Sequence, residues 1–171
     1  DPETGQLCTP GMPGVAEVKG RISPGYFGQS EAENAKAFTA DGYYRTGDLA
    51  YLDDQGSFVF VGRDSEMIKR AGINVSPAEV EDALKQAPGV VAAAVTNVPD
   101  PDRGEIIVAY VVGQGIERDA VHAHCRAVLS KYKLPDRIEF IEALPLTGTG
   151  KLQRNMVKQM AMELISGGKT S

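Results

Sequence analysis

Residues 145–151 read Pro-Leu-Thr-Gly-Thr-Gly-Lys. Backbone with alternating glycines can approach a phosphate closely and cradle its oxygens with N–H groups, while Lys151 at the end supplies a compact point charge. The segment is not a Walker A loop, which needs glycine where Pro145 stands and a hydroxyl residue where Leu152 stands. It is not G-x-G-x-x-G either, because Gln153 fills the third glycine position. Taken alone, it reads as either a phosphate-contacting loop or a flexible loop ahead of a helix. A second segment, Tyr44-Arg45-Thr46-Gly47-Asp48, ends on a carboxylate that can accept hydrogen bonds from two vicinal hydroxyls, as a ribose offers. A turn aspartate bonding its own backbone has the same local signature. A third, residues 62–81, carries Arg63, Asp64, Ser65, Lys69 and Arg70, then Ala71-Gly72, then the start of a capped helix. On its own that stretch reads as a solvated linker. His122, His124 and Cys125 do not make a metal site, since helical positions two apart face different ways and three ligands cannot converge.

These residues need elements to hold them. Residues 1–63 are rich in glycine, proline and short alternating segments: a strand over 15–19, a short helix over 31–37, and a hairpin of 49–52 and 58–61 around Asp53-Asp54-Gln55-Gly56. By itself this part is hardly large enough for a stable core. From residue 64 strands alternate with helices. Ser76-Pro77-Ala78-Glu79 is a capping box with proline at the first helical position, opening a helix to about Gln86. Then follow a strand over 90–98, a loop over 99–104, a strand over 106–112, a helix over 119–131, a strand over 138–141 and a last helix from Leu152 to about Ile165. The expected buried stripes are Val121, Cys125, Val128 and Leu129 on one helix, and Met156, Met160 and Ile165 on the last. The pattern implies an α+β unit of two or three layers over 64–171, behind a β-rich segment over 1–63 and ending in a frayed tail from Gly167.

The bulk composition excludes several classes. At 171 residues, 42% hydrophobic and 24% charged, the chain can build an ordinary globular core. A net charge of −5 argues against a nucleic-acid footprint. No apolar run is long enough to span a bilayer. Cys8 and Cys125, far apart, imply no disulfide framework and a reducing, cytoplasmic setting. The chain opens at Asp1 without an initiator Met, so we expect it to begin inside a longer protein.

In order and at this spacing, the three segments resemble the later core motifs of the adenylate-forming superfamily: acyl-CoA synthetases, aryl-CoA ligases, peptide-synthetase adenylation domains and beetle luciferases. Tyr44 to Asp48 matches Y-x-T-G-D, Gly62 to Glu81 the hinge motif, and Pro145 to Lys151 the C-terminal lysine motif. The resemblance implies a fold of a small C-terminal α/β-sandwich domain preceded by the last β-rich part of a large N-terminal AMP-binding domain. It implies that Asp48 and Arg63 hold the ribose hydroxyls of AMP, that Phe60 sits beside the nucleotide, and that Lys151 bridges the substrate carboxylate and the α-phosphate. It implies a mobile domain hinged near Asp64-Ser65, with Ala71 and Gly72 lining the channel for the CoA arm and Lys69 and Arg70 assisting. The substrates it implies are a small carboxylic acid, ATP with Mg, held mostly by the missing N-terminal domain, and CoA; no metal site of its own is implied.

This chain also departs from the family pattern. The pivot, usually Asp or Lys, is Ser65 here, with Asp64 before it. Asn74 stands where many CoA synthetases carry Arg, and Ala71 where luciferases carry their oxidative lysine. The phosphate loop, most of the adenine pocket and the acid pocket have no counterpart in these 171 residues, so the chain alone is expected to be inactive. We expect no carrier or condensation segment after Lys151, and so a carboxylic acid–CoA ligase rather than an adenylation domain loading a carrier protein. A non-catalytic module is disfavoured because Asp48, Arg63, Gly72 and Lys151 are retained together.

Overall fold

A computed structural model describes residues 1–2, 4–23 and 25–167, so the expected frayed tail beyond Gly167 lies outside the described residues. The chain divides into two compact units, Asp1–Glu66 and Met67–Ser171.

In the first unit β1 (Gly14–Val18), β2 (Tyr44–Leu52) and β3 (Phe58–Arg63) form an antiparallel sheet in the order β1-β2-β3. The β2–β3 turn closes because Asp53 Oδ1 accepts from the N–H groups of Gln55 and Ser57 at 2.9 and 2.7 Å. Gly56 follows in the left-handed region, φ 78°. Helix α1 (Glu31–Ala37) starts at a full capping box: the Ser30 hydroxyl accepts from Glu33 N–H, and the Glu33 carboxylate accepts from Ser30 N–H. Those bonds from Ser30 hold the Glu33 carboxyl below its usual range. The unit buries little: Leu49 and Ala50 are its buried apolar side chains among the described residues, while Leu7, Phe27, Phe58 and Phe60 lie exposed.

The second unit holds both clusters of buried apolar side chains. Its sheet contains β4 (Ile68–Arg70), β5 (Ile73–Val75), β6 (Val90–Asp100), β7 (Gly104–Gly113) and β8 (Arg137–Phe140). The order is β5-β4-β7-β6, all antiparallel, with β8 running parallel beside β7. The two-residue period of the long β6–β7 hairpin sorts the core. Val95, Ile107, Ala109 and Val111 point to one face with Val80, Leu84, Val121 and Cys125 of α2 (Pro77–Lys85) and α3 (Arg118–Val128). Ala94, Val98, Val108 and Tyr110 point to the other, against Val157 and Ala161 of α4 (Arg154–Gly167). The result is three layers: two helices, a sheet, one helix. Leu84, fully buried, contributes about 1.5–3 kcal/mol by burial alone.

Several expected boundaries moved. The loop expected over 99–104 narrows to a turn over 101–103. β6 and β7 pair through Pro99↔Glu105 and Asp100↔Gly104, and Pro99 is tolerated because β6 is an edge strand. Helix α3 stops at Val128, and Leu129 turns extended and buried while Val128 is left exposed. On α4 the buried stripe is Val157 and Ala161; Met160 and Ile165 pack at its edge and Met156 faces out. That helix starts at Arg154 because Leu152 pairs back with Leu146 in an antiparallel bridge.

Candidate functional site

Lys151 sits at the end of a tight turn. The Leu146↔Leu152 bridge closes its base, and Thr147 N–H donates to Lys151 O at 2.7 Å. Gly150 N–H returns to Thr147 O at 2.9 Å with Gly150 at φ 79°, a conformation that favours glycine. Lys151 N–H donates to Thr147 Oγ1 at 3.1 Å, and the Thr147 and Thr149 hydroxyls bond each other at 2.9 Å. Below the turn, Gln153 Nε2 donates to Leu146 O at 2.6 Å. Backbone and side chains alike therefore pin the turn, whereas Lys151 itself is exposed. Its ammonium has no hydrogen bond or ion pair among the described residues. Three residues on, Arg154 Nη1 bonds Glu81 Oε1 at 3.1 Å, the same oxygen that accepts from Val95 N–H at 3.0 Å. Glu81 is buried, so the start of α4 is tied to α2 and to β6 through one carboxylate.

Asp48 and Arg63 lie in the first unit and are brought together there. They are register partners across β2 and β3, with Arg63 Nε 2.8 Å from Asp48 Oδ1. Arg63 Nη1 also donates to Thr46 O at 3.0 Å. The Thr46 hydroxyl donates to Ala16 O and accepts from Asp48 N–H, which sets the aspartate at a bulge of β2 fixed to β1. Gly47 at φ 74° makes that bulge. Phe60, on β3 opposite Ala50, is exposed. Asp64 and Ser65 belong to a short 3-10 helix, Asp64–Glu66, directly after β3.

Ala71 and Gly72 form the tip of the β4–β5 hairpin, at φ 48° and 78°. Two successive left-handed residues make a type I′ turn, which fits the twist of a two-residue hairpin. Ala71 is the described non-glycine residue that takes positive φ. Lys69 is exposed, but Arg70 is not the exposed cation that its neighbourhood in sequence suggests. Its guanidinium reaches Asp136 Oδ1 at 2.7 Å and Leu134 O at 2.6 Å, with the two ionic side chains only 11% and 13% exposed. The site residues that sequence reasoning missed are Asp136 and Glu81. Glu81 could have been found, because it stands at core spacing on α2 with Pro77 and Leu84, where an acidic side chain needs a partner. Asp136 offers no such signal. Among the described residues no group of His, Cys, Asp and Glu is placed to hold a metal, and no helix is long and apolar enough to cross a membrane.

Residues 79–151 match the model of the AMP-binding enzyme C-terminal domain family, and over most of its length the chain is similar to adenylate-forming enzymes. It is 41% identical over 154 residues to the sulfoacetate–CoA ligase of Cupriavidus necator, covering 88% of this chain and 30% of that enzyme. It is 40% identical over 160 residues to a feruloyl-CoA synthase of an Amycolatopsis species, covering 91% and 32%. Among solved structures, ATP-bound MatB from Rhodopseudomonas palustris superposes with a TM-score of 0.87 at 34% identity, over 96% of this chain and 33% of that one. The chain thus spans about a third of the length of the relatives it matches.

Proposed function

We propose that this chain is the C-terminal part of an ATP-dependent, AMP-forming carboxylic acid–CoA ligase. The observation that carries the reading is Lys151: a side chain with no partner among the described residues, on a turn closed by its own hydrogen bonds, where the family match ends. In the first half-reaction a carboxylate oxygen attacks the α-phosphorus of ATP and pyrophosphate leaves with its bonding pair. Two anions must meet, and the Lys151 ammonium between them offsets their repulsion and stabilises the charge that builds on the phosphoryl oxygens. One such contact lowers the barrier by about 3 kcal/mol, on the order of a hundredfold in rate. Asp48, oriented by Arg63, accepts from the ribose hydroxyls, and Phe60 lies beside the nucleotide. In the second half-reaction the CoA sulfur attacks the acyl carbon, loses its proton, and displaces AMP.

In this reading residues 1–63 end the nucleotide-binding domain and residues 64–171 are the mobile domain. The pivot is at Asp64-Ser65, and Ala71-Gly72 lines the path of the CoA arm. The Mg that accompanies ATP, and the acid, are held by segments outside this chain. Relatives named for acids as unlike as sulfoacetate and ferulate match it about equally well, which supports a site of acid choice elsewhere. Both cysteines are free, which fits the reducing cytosol we assign to it. The test is product analysis with the full-length enzyme, ATP, CoA and a panel of acids. Equal amounts of AMP, pyrophosphate and acyl-CoA are expected. ADP and phosphate, or acyl transfer to a carrier protein alone, would contradict the ligase reading.

A further inference from the structure

The hairpin that carries Ala71-Gly72 is weakly laddered to the rest of its sheet. β4 pairs with β7 at one position, Arg70↔Gly104, and at the tip Ala71 N–H donates to Arg103 O at 2.8 Å. Side chains supply the remaining anchorage. Asp136 Oδ1 takes Arg70 Nη2 at 2.7 Å and Arg103 Nη1 at 2.6 Å, and Asp136 Oδ2 accepts from Ile107 N–H at 2.8 Å. One nearly buried carboxylate therefore joins the last residue before the tip, the β6–β7 turn that bonds the tip, and the middle strand of the sheet. Glu105 adds a second pin, accepting from Lys69 N–H at 2.6 Å. Ala71 itself is held at φ 48°, a conformation that a residue with a side chain keeps only when its surroundings enforce it.

We infer that Asp136 is a positioning residue for the thiol half-reaction, fixing the Ala71-Gly72 turn through Arg70 on one side and Arg103 on the other. It touches no substrate and acts through the turn. The inference rests on the ligase reading above and adds to it a residue outside the three recognised motifs. Loss of its charge leaves Arg70 only the carbonyls of Leu134 and Tyr132, so the turn relaxes where the thiol must pass, while the Lys151 turn keeps its own bonds.

Two half-reactions of the full-length enzyme test this: acid-dependent pyrophosphate exchange, and thioester formation from supplied acyl-adenylate over a range of CoA. Asp136→Asn should raise the CoA KM about tenfold and leave exchange within about twofold of wild type, since small misplacements at a reacting centre cost this much or more. An unchanged CoA KM overturns the assignment. Equal losses in both half-reactions also overturn it, because they show only a folding role. If wild type itself forms no thioester with CoA, the ligase reading fails and takes this assignment with it; if wild type does and the variant matches it, the assignment alone fails. Should Asp136→Asn not fold, Arg103→Gln carries the test, its side chain being 55% exposed. A rise in CoA KM of about threefold is expected there, and no change overturns the assignment.

Discussion

Asp48 and Arg63 face each other at 2.8 Å with side chains 29% and 53% exposed. A pair that exposed contributes at most about 1 kcal/mol to stability, so its geometry, fixed from Thr46 and Gly47, is better explained by binding than by folding. Asp48→Ala should accordingly shift the melting temperature little and raise the KM for ATP by about tenfold, as loss of a hydrogen-bonded charge does. Parallel melting and ATP-titration measurements decide it; a large drop in melting temperature with an unchanged KM would make the pair purely structural. These residues were legible in sequence because each sits inside a local motif. Arg70 was not, since its carboxylate partner Asp136 is 66 residues away and nothing near either residue announces the other. Asp136 follows Leu134-Pro135 in what reads as an ordinary loop.

The elements with strong local chemistry were equally legible. Helix α2 begins where Ser76 and Pro77 predict, with the Ser76 hydroxyl accepting from Glu79 N–H. The Glu79 carboxylate also takes Lys133 Nζ, a contact from a 3-10 turn far along the chain. Ser76→Ala should lower unfolding stability by about 1 kcal/mol, read as a shift in urea midpoint at unchanged slope. The β4–β5 hairpin escaped notice because its strands are three residues each, too short for a period to show. Its turn also places alanine, not the usual asparagine or aspartate, at the first left-handed position. The ends of β6 and β7 were misread for the opposite reason: Pro99, Asp100 and Gly104 are turn-forming residues overruled by an edge strand's tolerance and a long cross-strand register.

The two units differ in what they can do alone. Both apolar clusters belong to residues 67–171, whereas the first unit leaves Leu7, Phe27, Phe58 and Phe60 exposed. A unit that buries so little is consistent with the proposal that it completes a larger domain. Mixed with ATP, CoA and a panel of acids, these 171 residues alone should release no pyrophosphate above background. Lys151, in the proposed mechanism, carries the first half-reaction and not the second. The direct measurement is Lys151→Ala in the full-length enzyme, assayed for acyl-AMP formation and, separately, for thioester formation from supplied acyl-AMP. Loss of the first by on the order of a hundredfold or more is expected, with the second retained; unchanged acyl-AMP formation would remove Lys151 from that role.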